Sequence, residues 1–165
     1  MMSKKDLPNL LSEHTMVLIN NWIKKYPPQR KRAAIIPVLS VVQDELGYLS
    51  TEALDGVAEY LEIPHIAAYE VATFYSMFQM QKTGRHVVSL CTNVSCMLAG
   101  SEALKDWFKE ELGIAPGETT EDGRITLKEV ECLAACGGAP MLEVDKQYHE
   151  HLTVEKMAAL ITELE

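Results

Sequence analysis

No stretch of this chain approaches the ~18 consecutive apolar residues that a membrane-crossing helix needs, so the sequence predicts no direct membrane insertion. Positive charge is also short. Fifteen Lys and Arg stand against 24 Asp and Glu, a net charge of −9. An acidic surface of that kind repels phosphate backbones and anionic headgroups, which excludes nucleic acid as a partner class. The sequence has no glycine-rich dinucleotide loop after a strand, and the fragments near Gly113 and Gly137 do not supply one. The C-x-x-C motif of thiol–disulfide enzymes is missing as well. The first ten residues carry charges and Pro8, without an apolar core followed by a small-residue cleavage site. They also lack the Arg- and Ser-rich character of a transit peptide, so the expected location is a reducing cytoplasm. Internal repeats and low-complexity tracts are absent, and cysteine stops at four.

What is present is enough apolar material for a packed core: 47% of 165 residues, sufficient for one domain or two small ones. The four cysteines fall into two pairs, Cys91-x4-Cys96 and Cys132-x3-Cys136, with 35 residues between the pairs. In a reducing compartment, paired cysteines point to metal ligands or redox groups before structural disulfides.

The chain divides by pattern near residues 79–84, a polar stretch that breaks the helical period. Residues 1–80 read as a helical bundle of about four helices behind a loose tail over residues 1–10. Ser12 caps a first helix to about Lys25, ended by Tyr26-Pro27-Pro28. A second spans about Lys31 to Leu46, closed by Gly47, and a third follows the Ser50 cap to Leu61. A fourth opens at Pro64 and runs to about Phe78. Residues 84–165 change character. A strand-like run, His86 to Leu90, delivers Cys91. A helix follows over Gly100 to Leu112, then a turn-rich loop over residues 115–123. Arg124 to Val130 alternates like a strand and delivers Cys132. Met141 to Val144 and Tyr148 to His151 flank Asp145-Lys146-Gln147 as a hairpin, and Thr153 caps a last helix. The expected class is α+β: a helical bundle, then a thioredoxin-like α/β domain of β-α-β-β-β-α order.

Soft thiolates select zinc, copper(I) or iron–sulfur clusters. A [2Fe-2S] cluster needs two protein ligands on each of two irons, so two cysteine pairs match its demand. Each pair leaves a strand end, so both can converge on one edge of a sheet. Structural zinc favours tighter C-x2-C knuckles, which neither pair has, although a four-cysteine zinc site stays open on spacing alone. Reduction adds negative charge to a cluster, and no Lys or Arg adjoins a ligand here. Backbone amides must then carry that charge, with Gly137 and Gly138 letting the backbone approach sulfur. Glu129 and Glu131, just before Cys132, read as strand residues facing solvent.

Beyond spacing, particular residues carry a resemblance. They are Cys91-x4-Cys96-Met97-Leu98-x-Gly100, Leu112-Gly113-Ile114-x-Pro116-Gly117-Glu118-Thr119-Thr120-x-Asp122-Gly123, and Glu129-Val130-Glu131-Cys132-Leu133-x-Ala135-Cys136-x-x-Ala139-Pro140. Lys31-Arg32-Ala33-Ala34, Gly47-Tyr48-Leu49 and Val71-Ala72-Thr73-Phe74-Tyr75 belong with them. With these the chain resembles, from about residue 15 to its end, the thioredoxin-like [2Fe-2S] ferredoxin family that serves NADH-quinone oxidoreductase (respiratory complex I). The resemblance implies one [2Fe-2S] cluster ligated by Cys91, Cys96, Cys132 and Cys136. It implies a subunit of an oxidoreductase with no complete active site of its own, docked on a flavoprotein that binds FMN and NADH, and through it on further iron–sulfur subunits. The location implied is cytoplasmic, peripheral at the inner membrane. Related subunits serve NAD-linked hydrogenases and formate dehydrogenases, which stand as the alternative host. A zinc-stabilised interaction module is the alternative of another class. Asn93 departs from the family, which often has a small hydroxyl residue there, as does the Gly137-Gly138 pair, where relatives often carry larger residues.

Several residues tempt and are set aside. His149 and His151 form an H-x-H on one strand face without a third ligand, so an exposed hairpin is the preferred reading. Phe74, Tyr75 and Phe78 divide between core packing and a partner surface. Eight methionines read as core filler or an adaptable interface.

Overall fold

The computed structural model describes residues 7–164; the start of the expected tail, residues 1–6, lies outside them. The chain divides after Lys82 into two compact units.

The first unit is helical: α1 (Leu7–Leu10), α2 (Glu13–Ile23), a 3-10 segment (Pro28–Ala34), α3 (Ile35–Leu46), α4 (Thr51–Tyr60) and α5 (His65–Phe74). Ser12 and Ser50 cap as their sequence context demands, accepting from the Thr15 and Ala53 amides at 3.3 and 3.2 Å. Gly47 closes α3 in the left-handed region (φ 80°). Ile19, Val38, Leu39, Val42, Leu54 and Val57 are fully buried at the centre.

Three expectations change. Residues Leu7–Leu10 are helical rather than loose, because Leu7 is buried against α4, where a Cβ on Gly56 would meet it at 3.3 Å. The second α-helix starts at Ile35 rather than Lys31, because residues 31–34 form the last part of the 3-10 segment, after a break at Arg30 (φ −122°, ψ 29°). α5 stops at Phe74, four residues early, and Tyr75 is extended. There the chain bends back so that Phe78 enters the core, while Phe74 stays 79% exposed. The Gln43 side chain holds this bend, donating to the Met77 carbonyl and accepting from the Gln79 amide.

The second unit contains β1 (His86–Cys91), α6 (Val94–Leu98), α7 (Ser101–Glu111), β2 (Ile125–Val130), β3 (Leu142–Val144), β4 (Gln147–His149) and α8 (Val154–Glu163). The sheet order is β2-β1-β3-β4. β1 runs parallel to β2, and β3 is antiparallel to both β1 and β4. One face of the sheet (Val88, Leu90, Ile125, Leu127, Leu142, Val144) packs with Leu104 and Phe108 of α7 and Met157 and Ile161 of α8. Thr153 caps α8 through the Lys156 amide. The expected order gains one element, the short helix α6. The hairpin turn is two residues, Asp145 and Lys146, both at positive φ, so Gln147 belongs to the strand. β4 ends at His149, and His151 lies beyond it at φ 51°, so the two histidines do not share a strand face. His86 bonds the Asp145 carboxylate at 2.6 Å, which makes it structural.

Candidate functional site

Parallel pairing decides where the cysteines meet. β1 and β2 are in register from His86↔Ile125 to Cys91↔Val130, so both strands end at the same edge of the sheet. Cys91 is the last residue of β1, and the second cysteine loop leaves β2 just after Val130. The Thr92 amide bonds the Val130 carbonyl at 3.2 Å, carrying the pairing one step past the strands.

The first loop folds at once into α6. Asn93 sits extended as its cap, and its carbonyl accepts from Met97 at 2.8 Å. This turn buries Cys96. Gly100 (φ 105°) then lets the chain enter α7 without a spacer. Cys91 and Cys96 are 3% and 2% exposed and form a small apolar cluster with Met141, against which Leu133, Ala135 and Ala139 pack.

The second loop is more open. Cys132 and Cys136 are both exposed. Cys136 begins a 3-10 turn, Cys136–Gly138, and the Ala139–Pro140 peptide that follows is cis. Several bonds tether this loop. The Asn93 side-chain amide donates to the Glu131 carbonyl at 2.8 Å, joining the two cysteine loops directly. The Tyr148 hydroxyl donates to the Leu133 carbonyl at 2.8 Å. The His151 amide donates to the Gly138 carbonyl at 2.7 Å.

The thiols differ in electrostatics. Burial pushes the Cys96 thiol up to about 11; its hydrogen bond to Cys91 and the negative charge of Cys91 and Cys136 add to this, while the Met141 amide acts the other way. Cys91, Cys96 and Cys136 therefore lie near enough to feel one another. At the fourth position the Ala134 amide donates to Cys132 Sγ at 3.2 Å.

This amide corrects one expectation. Sulfur does receive a backbone N–H group, but from Ala134 rather than from the glycines. The Gly138 amide is spent on the Ala135 carbonyl at 2.9 Å. Glycine is needed at 138 for another reason: a Cβ there would fall on the Glu150 side chain. Around Gly137 a Cβ would meet nothing within 4 Å. Glu129 and Glu131 are exposed, in line with the solvent-facing reading.

The donor set fits a binuclear cluster. There are four thiols and no other cysteine, one pair buried and one pair open, with a backbone amide on Cys132 Sγ. Among the described residues no three His, Cys, Asp or Glu side chains are disposed to hold a single metal ion. Sequence reasoning missed the roles of Asn93 and Tyr148. The signal for Asn93 was available as a capping residue inside the first loop. None existed for Tyr148, whose partner is set by the hairpin.

A sheet of order β2-β1-β3-β4 with paired cysteines at the end of its parallel strands defines a class: thioredoxin-like proteins that carry a cluster site rather than a C-x-x-C dithiol. A family model described as thioredoxin-like [2Fe-2S] ferredoxin matches residues 19–165, and the chain belongs to that family. Curated relatives named as the E subunit of NADH-quinone oxidoreductase are 46% identical over 88% of each chain in Rickettsia felis, and 45% identical over 89% of each chain in Rickettsia bellii. Crystal structures of an NAD+-reducing [NiFe]-hydrogenase, air-oxidised and H2-reduced, match with TM-scores of 0.65 and 0.66 at 23% identity. The match covers 81% of this chain but only 22% of theirs, and the likeness is one of fold.

Proposed function

We propose that this chain is the electron-transfer subunit of an NADH-quinone oxidoreductase, with domains at residues 1–80 and 84–165. Cys91, Cys96, Cys132 and Cys136 hold one [2Fe-2S] cluster, which exchanges single electrons with FMN on a partner flavoprotein. FMN and NADH belong to that partner, and further iron–sulfur subunits are reached through it. The chain supplies no catalytic acid, base or nucleophile. The observation that supports this reading is that both cysteine pairs follow the same end of the in-register strands β1 and β2, in a chain of the [2Fe-2S] family. The names of the relatives support the choice of host enzyme.

When bound, the cluster takes up and releases one electron at a time, which suits a neighbour of a two-electron flavin. The residues here supply the rest. Cys91 and Cys96, within their apolar cluster, anchor one side in a water-poor setting. Cys132 and Cys136 are exposed, and under this reading the partner approaches from their side. The location that goes with this host is cytoplasmic, peripheral at the inner membrane, with the chain held there through its complex. No helix among the described residues is long and apolar enough to cross a membrane.

The equivalent subunit of an NAD-linked hydrogenase is the second reading, favoured by the fold likeness to the NAD+-reducing enzyme. Affinity isolation from the host separates the two: quinone-reductase subunits co-purify under the first reading, hydrogenase subunits under the second. Metal analysis of anaerobically purified protein tests the cluster itself. About two irons and two acid-labile sulfides per chain are expected, with an EPR signal after reduction by dithionite. One zinc and a colourless protein would overturn both readings.

A further inference from the structure

We infer that Tyr148 is a positioning residue that sets the reduction potential of the site through a single peptide group. The inference rests on the cluster reading above. Tyr148 lies on β4, opposite Glu143 of β3, and takes no part in ligation. Its hydroxyl donates to the Leu133 carbonyl at 2.8 Å. The amide of the next residue, Ala134, donates to Cys132 Sγ at 3.2 Å. These two bonds use opposite ends of one peptide unit, the C=O of Leu133 and the N–H of Ala134. That unit is planar and rigid, with C=O and N–H pointing in opposite directions. Fixing the carbonyl therefore aims the amide. A donor on the carbonyl also polarises the N–H, strengthening the bond to sulfur.

The local backbone needs such a hold. Ala134 has φ 58°, in the left-handed region that a residue with a Cβ adopts at a cost of roughly 1–2 kcal/mol. Its neighbours Leu133 and Ala135 pack against the Cys91, Cys96 and Met141 cluster, while Ala134 itself is exposed. The Tyr148 bond on one side of Cys132 and the Asn93 bond to the Glu131 carbonyl on the other bracket this ligand. Only the Tyr148 bond is relayed to a sulfur atom.

An amide aimed at a thiolate stabilises the more negative, reduced state of an iron–sulfur site and raises its potential. The test is Tyr148→Phe in the full-length, cluster-loaded protein. Phenylalanine keeps the ring on a half-exposed edge position and removes only the donor. Potentiometric titration followed by EPR should give a midpoint shifted to more negative potential, with altered g-value anisotropy and unchanged iron and sulfide content. An unchanged midpoint and unchanged g values in Tyr148→Phe would overturn the assignment while leaving the cluster reading intact. Loss of iron from the variant would overturn it too, since Tyr148 would then be a brace of the loop. Wild-type protein without iron and sulfide would remove the cluster reading and this inference with it.

Discussion

Asn93 performs two tasks with the two ends of one amide. Its oxygen accepts from the Val94 amide at 2.8 Å at the start of α6, and its nitrogen donates to the Glu131 carbonyl at 2.8 Å. Substitutions can divide them. Asn93→Ala loses both and should destabilise the second unit by about 1 kcal/mol, the typical value of a cap. Asn93→Asp keeps the acceptor but has no N–H for Glu131. It should retain most of the stability seen in urea unfolding, yet lose iron to a chelator several-fold faster than wild type. Equal chelation rates for Asn93→Asp and wild type would show that the tie between the loops is dispensable. A second residue-scale test concerns Gly138. Gly138→Ala places a methyl on the Glu150 side chain and should cost roughly 1–3 kcal/mol, as overpacking does. Because the Glu150 Cβ itself is only 2.6 Å from that methyl, Glu150→Gly should rescue the variant and Glu150→Ala should not.

At the scale of elements, the bend after α5 depends on Gln43 of α3. Its side chain accepts from the Gln79 amide at 2.6 Å and donates to the Met77 carbonyl at 2.9 Å. Gln43→Ala should cost about 1–2 kcal/mol, the value of lost bonds at a partly buried amide, and the Gln79 amide should lose hydrogen-exchange protection. The same bend illustrates what the sequence could and could not disclose. Helices with a local signal were legible: Ser12, Ser50 and Thr153 each cap within three residues of themselves, and Gly47 closes α3 by its own backbone. The end of α5 was not legible, because Phe74 to Phe78 keeps helical periodicity while a side chain 36 residues away captures the Gln79 amide. α6 escaped for the opposite reason: at five residues it is too short to have a period. The cysteine loops were legible as strand ends, since alternation locates β1 and β2. The amide that reaches sulfur was not, because the Ala134 geometry arises only once the sheet has formed.

For the molecule as a whole, its acidity has a direction. Glu45, in the first unit, is held below the usual carboxylate range by hydrogen bonds from the Thr15 side chain and the Ser12 amide. Asp122, in the second, is lowered by the Thr120 hydroxyl and the Arg124 amide. Each has a folded pKa below its unfolded value, so its contribution is complete above about 4.5 or 3.8 and fades as pH falls through the folded value. Urea midpoints should therefore drop on acidification, and Glu45→Gln should flatten the part of that fall belonging to the first unit. An identical pH profile for Glu45→Gln would contradict this. The parallel pairing of β1 with β2 has a consequence of another kind. Parallel neighbours require a long crossover, and here it spans most of the residues between Cys96 and Cys132. During synthesis, Cys91 and Cys96 are made before Cys132 and Cys136, and Met141, which packs with the first pair, follows later still. A product truncated before β2 would keep Cys91 and Cys96 alone, half of the proposed ligand set.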